Sequence, residues 1–234
     1  MGGMSMTTRS AFDQELLELR DNVLRMGNMV DAAISRSIQA LKERDQSLAQ
    51  QIITEDEDIN ELRFKVEEDC VRLIARQQPA ARDLRFIVAA MNIVLDLERM
   101  GDHAAGIATI VLRMGDEPLL KPLIDLPRMA QIAREMLRNS LDAFMSGNDE
   151  QEAMAITMRD EEVDQLYNQI FRELITFMIE DPRTVTRAMY LLFCAHNVER
   201  IADRVTNICE RVAFVATGHM REIPSEAGTE AGAI

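Results

Sequence analysis

Apolar residues recur at helical spacing along almost the whole chain. Leu16, Leu19, Val23, Met26, Val30 and Ala33 step by three and four, and Ile34, Ile38 and Leu41 widen the stripe. Such spacing marks a helix with one face against a core. Polar residues interrupt it at Lys42–Asp45. Ile52, Ile59, Val66 and Leu73 then return every seventh position, and a second interruption falls at Gln77–Pro79. From there to Arg113 the pattern is unbroken, enough for a helix of about 50 Å.

Gly115, Pro118, Pro122 and Pro127 punctuate the next stretch, which reads as a linker. The helical pattern restarts beyond it, breaks at Gly147-Asn148 and at Asp181-Pro182, and ends near Gly218. The expected organisation is a flexible N-terminus over 1–8, a first three-helix bundle over 9–114, a linker over 115–127, a second three-helix bundle over 128–218, and a disordered tail over 219–234.

The two halves repeat one another. Leu41, Asp45, Ala49, Ile52 and Asp56 fall on Met145, Asp149, Ala153, Ile156 and Asp160, a shift of 104. Further on, Leu97-Glu-Arg-Met-Gly-Asp102 falls on Val198-Glu-Arg-Ile-Ala-Asp203, a shift of 101. The difference of three arises at the second break, where a loop tolerates deletion. The fold class is therefore all-α, a tandem duplication of a three-helix bundle.

Composition agrees with that class. Hydrophobic residues make up 47 % and charged residues 28 %, while aromatics are only 4 %. The net charge is −14, which argues against a nucleic-acid binder or a protein of anionic membrane surfaces. Cys70, Cys194 and Cys209 form no Cys-x-x-Cys pair, so neither a disulfide framework nor a cysteine–zinc site is expected. Three small core hydrophobes in a reducing compartment are expected instead. The N-terminus carries no apolar signal region, and no stretch reaches about 18 uninterrupted apolar residues. A cytoplasmic location follows as the expectation.

One feature breaks the pattern. At about 100° per residue, Leu84, Val88, Met91 and Leu95 lie within roughly 40° of one another, marking the inner face of the third helix. Glu98 and Asp102 fall inside that arc, whereas Asp96 projects away as expected surface. In the second copy Val185, Met189 and Leu192 mark the arc that includes Glu199 and Asp203. On the second helix, Asp56 lies beside Ile52 and Ile59 with Asn60 at the edge of the same face, while Glu57 and Glu61 point outward. Asp160 and Asp164 take the equivalent places in the second copy.

Carboxylates on a core stripe are costly unless compensated. Oxygen-rich clusters suit hard or borderline cations such as magnesium, manganese, iron or zinc. Ion pairs with Arg63, Arg82, Arg85, Arg99 or Arg200 are the other solution, although an arginine one position on points about 100° away from its neighbour. His196 lies on the inner arc three residues before Glu199. It is expected as a partly buried structural histidine, since its counterpart is Leu95. His103 and His219 carry no pattern. Phosphate-binding loops, dinucleotide fingerprints, nucleophile elbows and the Glu-x-x-His pairs of di-iron proteins are all missing.

Three segments together resemble the PhoU family of phosphate-signalling proteins: Ile74-Ala-Arg-Gln-Gln-Pro-Ala-Ala-Arg-Asp-Leu-Arg85, Asp96-Leu-Glu-Arg-Met-Gly-Asp102 and Phe193-Cys-Ala-His-Asn-Val-Glu-Arg-Ile-Ala-Asp203. The resemblance spans about residues 9 to 217 and includes the duplication and both Glu-x-x-x-Asp motifs. It implies two three-helix bundles with multinuclear clusters of divalent or trivalent metal ions on the bundle surface. Glu98, Asp102, Glu199 and Asp203 are the implied ligands, with Asp56, Asn60, Asp160 and Asp164 as partners. It further implies a non-enzymatic, homodimeric adaptor that represses the phosphate-starvation response when phosphate is plentiful. Such an adaptor connects the ATPase subunit of a phosphate transporter with a sensor histidine kinase, and touches the membrane only through these partners. A metal-dependent hydrolase or oxidase and a metal-free helical scaffold are the alternatives.

Overall fold

The computed structural model describes residues 3–146 and 150–223, and residues 3–10 only as backbone. Three long helices form the first bundle: α1 (Gly3–Glu43), α2 (Gln46–Gln77) and α3 (Ala81–Met114). The second contains α4 (Asp125–Ser146), α5 (Glu150–Thr157), α6 (Asp160–Glu180), a 3-10 turn (Pro182–Thr184) and α7 (Val185–Thr217). No strand occurs among the described residues.

Helix ends follow local chemistry. Asp45 caps α2 by accepting a 2.9 Å hydrogen bond from Leu48 N. Pro79 follows the left-handed Gln78 and bars continuation of α2. Gly218 takes φ 80° after α7, where its amide donates back to Phe214 O.

Several borders differ from the sequence reading. Helix α1 already begins at Gly3, inside the segment expected to be flexible. Helix α4 starts at Asp125, so Pro127 sits in its first turn, where the missing amide hydrogen costs nothing. The expected second helix of the second copy is split at Met158-Arg159 into α5 and α6, with Arg159 N donating only three residues back to Ile156 O. The break at Gly147-Asn148 and the tail from Pro224 lie outside the described residues.

The duplication is visible in burial. At a shift of 103, which puts Phe144 instead of the expected Met145 opposite Leu41, Val23, Met26, Val30, Ile34, Ser37 and Leu41 of α1 correspond to Leu126, Met129, Ala133, Leu137, Ser140 and Phe144 of α4, and all are buried. The most extensive helix contact joins α3 to α7 across the two halves. The paired side chains show that α3 and α7 run antiparallel. Asp96 meets Asn207, and His103 meets Asn197. Asp96 and Asn197 are equivalent positions, as are His103 and Arg204, so a pseudo-two-fold axis relates the His103–Asn197 contact to the approach of Arg204 to Asp96. Cys70, Cys194 and Cys209 are free and buried.

Candidate functional site

The third helix of each copy packs on more neighbours than its own bundle supplies. Helix α3 touches α1, α2 and α7 together. Its buried arc is therefore set by Ile87, Ala90, Ile93, Val94, Leu97, Met100 and Ala104, each fully buried. The expected inner face lies at the border of this arc: Leu84 is 38 % and Leu95 40 % exposed. Glu98 and Asp102 consequently lie on a half-open seam between α2 and α3. Glu199 and Asp203 lie on the matching seam between α6 and α7, where Val185 is also exposed.

In the first seam Asp56 comes to α3 from α2. A Cβ at Gly101 would stand 2.9 Å from Asp56 Oδ1, which shows how closely the carboxylate lies against the facing backbone. Burial, then Asp102 and Glu98, push the Asp56 carboxyl up to about 6. Asn60 is half-buried beside it, its amide directed to Asp56 O at 3.4 Å. Glu57 and Glu61 are exposed.

The second seam is more strongly charged. Asp160 opens α6, and its first turn also contains Glu161 and Glu162, where the helix's positive end favours acids. Asp160 is only 7 % exposed, yet its Oδ1 finds no hydrogen-bond donor among the described residues. Burial pushes its carboxyl up to about 7, with Asp164, Asp203 and Glu199 adding to the effect. Glu199 is likewise raised to about 7, first by burial and then by Asp203. Its Oε2 is buried and also lacks a hydrogen bond. Asp164 and Asp203 are raised too, chiefly by burial.

The neighbouring arginines reach further than the helical wheel suggests. Arg200 places Nε 3.0 Å from Glu199 Oε2, out of line for a hydrogen bond, and Nη1 2.9 Å from Asp203 Oδ2. Arg99 does the same with Glu98 at 3.5 Å and Asp102 at 3.3 Å. A guanidinium on a flexible stem curls back across the 100° that separates adjacent positions. Both arginines are well exposed, so these pairs contribute little and compensate the carboxylates only in part. Arg63 instead pairs with Glu67, and Arg85 donates to Val215 O.

Elsewhere the structure differs from the sequence reading at Asp96. This residue is not free surface: Asn207 Nδ2 donates to it at 3.0 Å and Arg204 lies 3.5 Å away. His103, which showed no pattern in sequence, meets Asn197 Oδ1 at 3.0 Å. The shift of 101 that pairs Asp96 with Asn197 and His103 with Arg204 was the available signal. His196 is partly buried, with Nδ1 3.5 Å from Glu199 Oε2.

Acids brought together across facing helices fit a cation better than they fit their present neighbours. The donorless Asp160 Oδ1, and carboxyls raised by burial and then by one another, leave room for a positive charge. All-oxygen donors are those of hard or borderline ions. Among the described residues, no three His, Cys, Asp or Glu side chains are already drawn to ligand spacing.

These features define a tandem helical-bundle protein with one acidic seam per half. The PhoU domain family matches twice, at residues 23–111 and 126–212, and the chain belongs to that family. It is 39 % identical over 89 % of its length to a Rhizobium meliloti (strain 1021) protein, covering 88 % of that relative, which is named a phosphate-specific transport system accessory protein PhoU homolog. The Escherichia coli (strain K12) accessory protein PhoU is 38 % identical over 88 % of this chain and 86 % of its own. Among solved structures, the PhoU of Pseudomonas aeruginosa superposes with a TM-score of 0.84 at 34 % identity, covering 89 % of this chain and all of that one. The phosphate transport system regulatory protein PhoU of Streptococcus pneumoniae gives 0.83 at 35 % identity, over 90 % of this chain and 99 % of that one.

Proposed function

We propose that this protein is a regulatory accessory component of a phosphate-specific transport system and that its two acidic seams hold metal ions. The family membership supports the first part. The buried Asp160 Oδ1, which has no hydrogen-bond donor among the described residues, carries the second. Asp56, Asn60, Glu98 and Asp102 are the proposed ligands of one seam, and Asp160, Asp164, Glu199 and Asp203 those of the other. Bound iron, zinc, manganese or magnesium would supply the positive charge that lets facing carboxylates stay ionised. The chain's own part is to present those oxygens from two helices, so that occupancy ties α2 to α3 and α6 to α7.

In this proposal the protein is a non-enzymatic negative regulator of phosphate uptake and of the phosphate-starvation two-component response. A homodimer contacts the transporter's ATPase subunit and a sensor histidine kinase from the cytoplasmic side. Two facts support an adaptor that reaches the membrane through partners. No described helix is long and apolar enough to cross a membrane. The net charge of −14 does not suit nucleic acid.

The test combines a deletion strain carrying a phosphate-responsive reporter with pull-downs of the tagged chain against the ATPase subunit and the kinase. Loss of repression at high phosphate, with capture of both partners, is expected. Normal repression in the deletion strain rejects the regulatory role. The ion pairs of Arg99 and Arg200 favour a second possibility, a metal-free scaffold. Elemental analysis after loading with each metal separates the two.

A further inference from the structure

The two seams are equivalent by duplication but differ at three facing positions. Asn60 stands where the second seam has Asp164, Leu95 where it has His196, and Arg63 where it has Tyr167. All three differences favour a cation in the second seam. Asp164 adds a carboxylate, whereas the Asn60 amide turns to its own helix. Tyr167 is neutral, whereas Arg63 carries a positive charge that is paired with Glu67 at 3.3 Å.

His196 is the difference that changes the chemistry. It lies three residues before Glu199 and seven before Asp203, spacings that share one helix face. Its Nδ1 is 3.5 Å from Glu199 Oε2, and its side chain is 45 % exposed, leaving the ring room to turn. Tyr167 flanks it, with ring centroids 6.3 Å apart. The nearly buried Asp160, with its donorless Oδ1, lies further along α6, near Asp203 and Glu199. Leu95 supplies no donor atom at the matching place in the first seam.

We infer that His196 is a nitrogen ligand that makes the second seam selective for zinc or iron(II), while the first seam is a weaker, oxygen-only site for hard cations such as magnesium. Imidazole suits zinc and iron, whereas carboxylate, carbonyl and water suit magnesium. The inference rests on the metal-binding reading given above.

The test uses the full chain stripped by chelator, titrated calorimetrically with zinc and with magnesium, and examined by X-ray absorption at the zinc edge. His196→Leu installs the first seam's residue, and His196→Gln is the polar alternative should the leucine variant fold poorly by circular dichroism. In the unaltered chain one class of zinc site is expected to be tighter than the other, with the scattering pattern of one imidazole. Either variant should weaken that class about tenfold or more and erase the imidazole pattern. Magnesium binding should stay within about twofold, since imidazole is not a magnesium ligand. Leu95→His should add imidazole scattering to the first seam. Zinc affinity and imidazole scattering that survive both His196 variants overturn this inference and leave the metal reading standing. An unaltered chain that binds neither zinc nor magnesium overturns both.

Discussion

Asn207 donates its side-chain amide to Asp96 at 3.0 Å across the joint between the two bundles, although the residues lie 111 positions apart. The pseudo-symmetric counterpart of Asn207 is Gly106, which lies against Asn197, the counterpart of Asp96. Burial raises the Asp96 carboxyl, while Asn207 and Arg204 hold it down. Asp96→Ala strands Asn207 and Arg204 at the joint and is expected to lower unfolding free energy by about 1–3 kcal/mol. Asp96→Asn keeps an acceptor oxygen and should lose less. Urea denaturation of both variants checks the order, and equal stability would mean that the joint does not depend on this bond.

Asp160→Asn should move stability and metal affinity in opposite directions. Removing a half-compensated buried charge is expected to raise the melting temperature of the metal-free chain by a few degrees, on the order of 1 kcal/mol. The same substitution removes a proposed ligand and should weaken binding about tenfold or more. Calorimetry with and without metal measures both. A variant less stable than the parent without metal would show that Asp160 is already satisfied.

The raised carboxyls also set a pH dependence. Asp56, Asp160 and Glu199 lie at about 6, 7 and 7, against ordinary values of 3.8, 3.8 and 4.5. Between those limits the folded chain binds more protons than the unfolded chain, so stability falls as pH rises. The metal-free protein should therefore lose about 2–4 kcal/mol between pH 5 and pH 8, at about 1.4 kcal/mol per shifted unit, with coupling between the groups limiting the sum. Saturating metal at pH 8 should restore much of it. Thermal melts in chelator across this range decide the matter, and a melting temperature that climbs from pH 5 to pH 8 contradicts the prediction.

Gly27 allows α1 to approach α4: a Cβ there would stand 2.2 Å from Leu141 Cδ1. Gly27→Val is expected to destabilise by about 1–3 kcal/mol through overpacking. Leu141→Ala in the same chain should recover part of that loss, because the cavity it leaves receives the added methyls. A double-mutant cycle reads the coupling, and additive losses would place the clash elsewhere.

The helices, their breaks and the duplication were legible in the sequence because each follows from local spacing. Stripes of period 3.6 report a buried face, and proline, glycine and capping aspartate report ends. Asp56 and Asn60 could be separated from Glu57 and Glu61 for the same reason: neighbours on one helix face are related by rotation alone. Split helix α5–α6 was less accessible, since Ile156, Val163 and Ile170 keep the helical period straight through the break at Met158-Arg159.

By itself the sequence determined that two acidic motifs recur at equivalent positions of two all-helical halves, and that the halves differ at Asn60 and Asp164 and at Leu95 and His196. Tertiary structure alone decided how deep those acids lie. Helix α3 is shared by α1, α2 and α7, so its core face turns away from Leu84 and Leu95 and leaves Glu98 and Asp102 on a half-open seam. Packing across the halves likewise made Asp96 a partner of Asn207 instead of a solvated surface charge. The physical reason is that periodicity records how many residues of a helix are buried and with what spacing, whereas which neighbours bury them depends on contacts a hundred positions away.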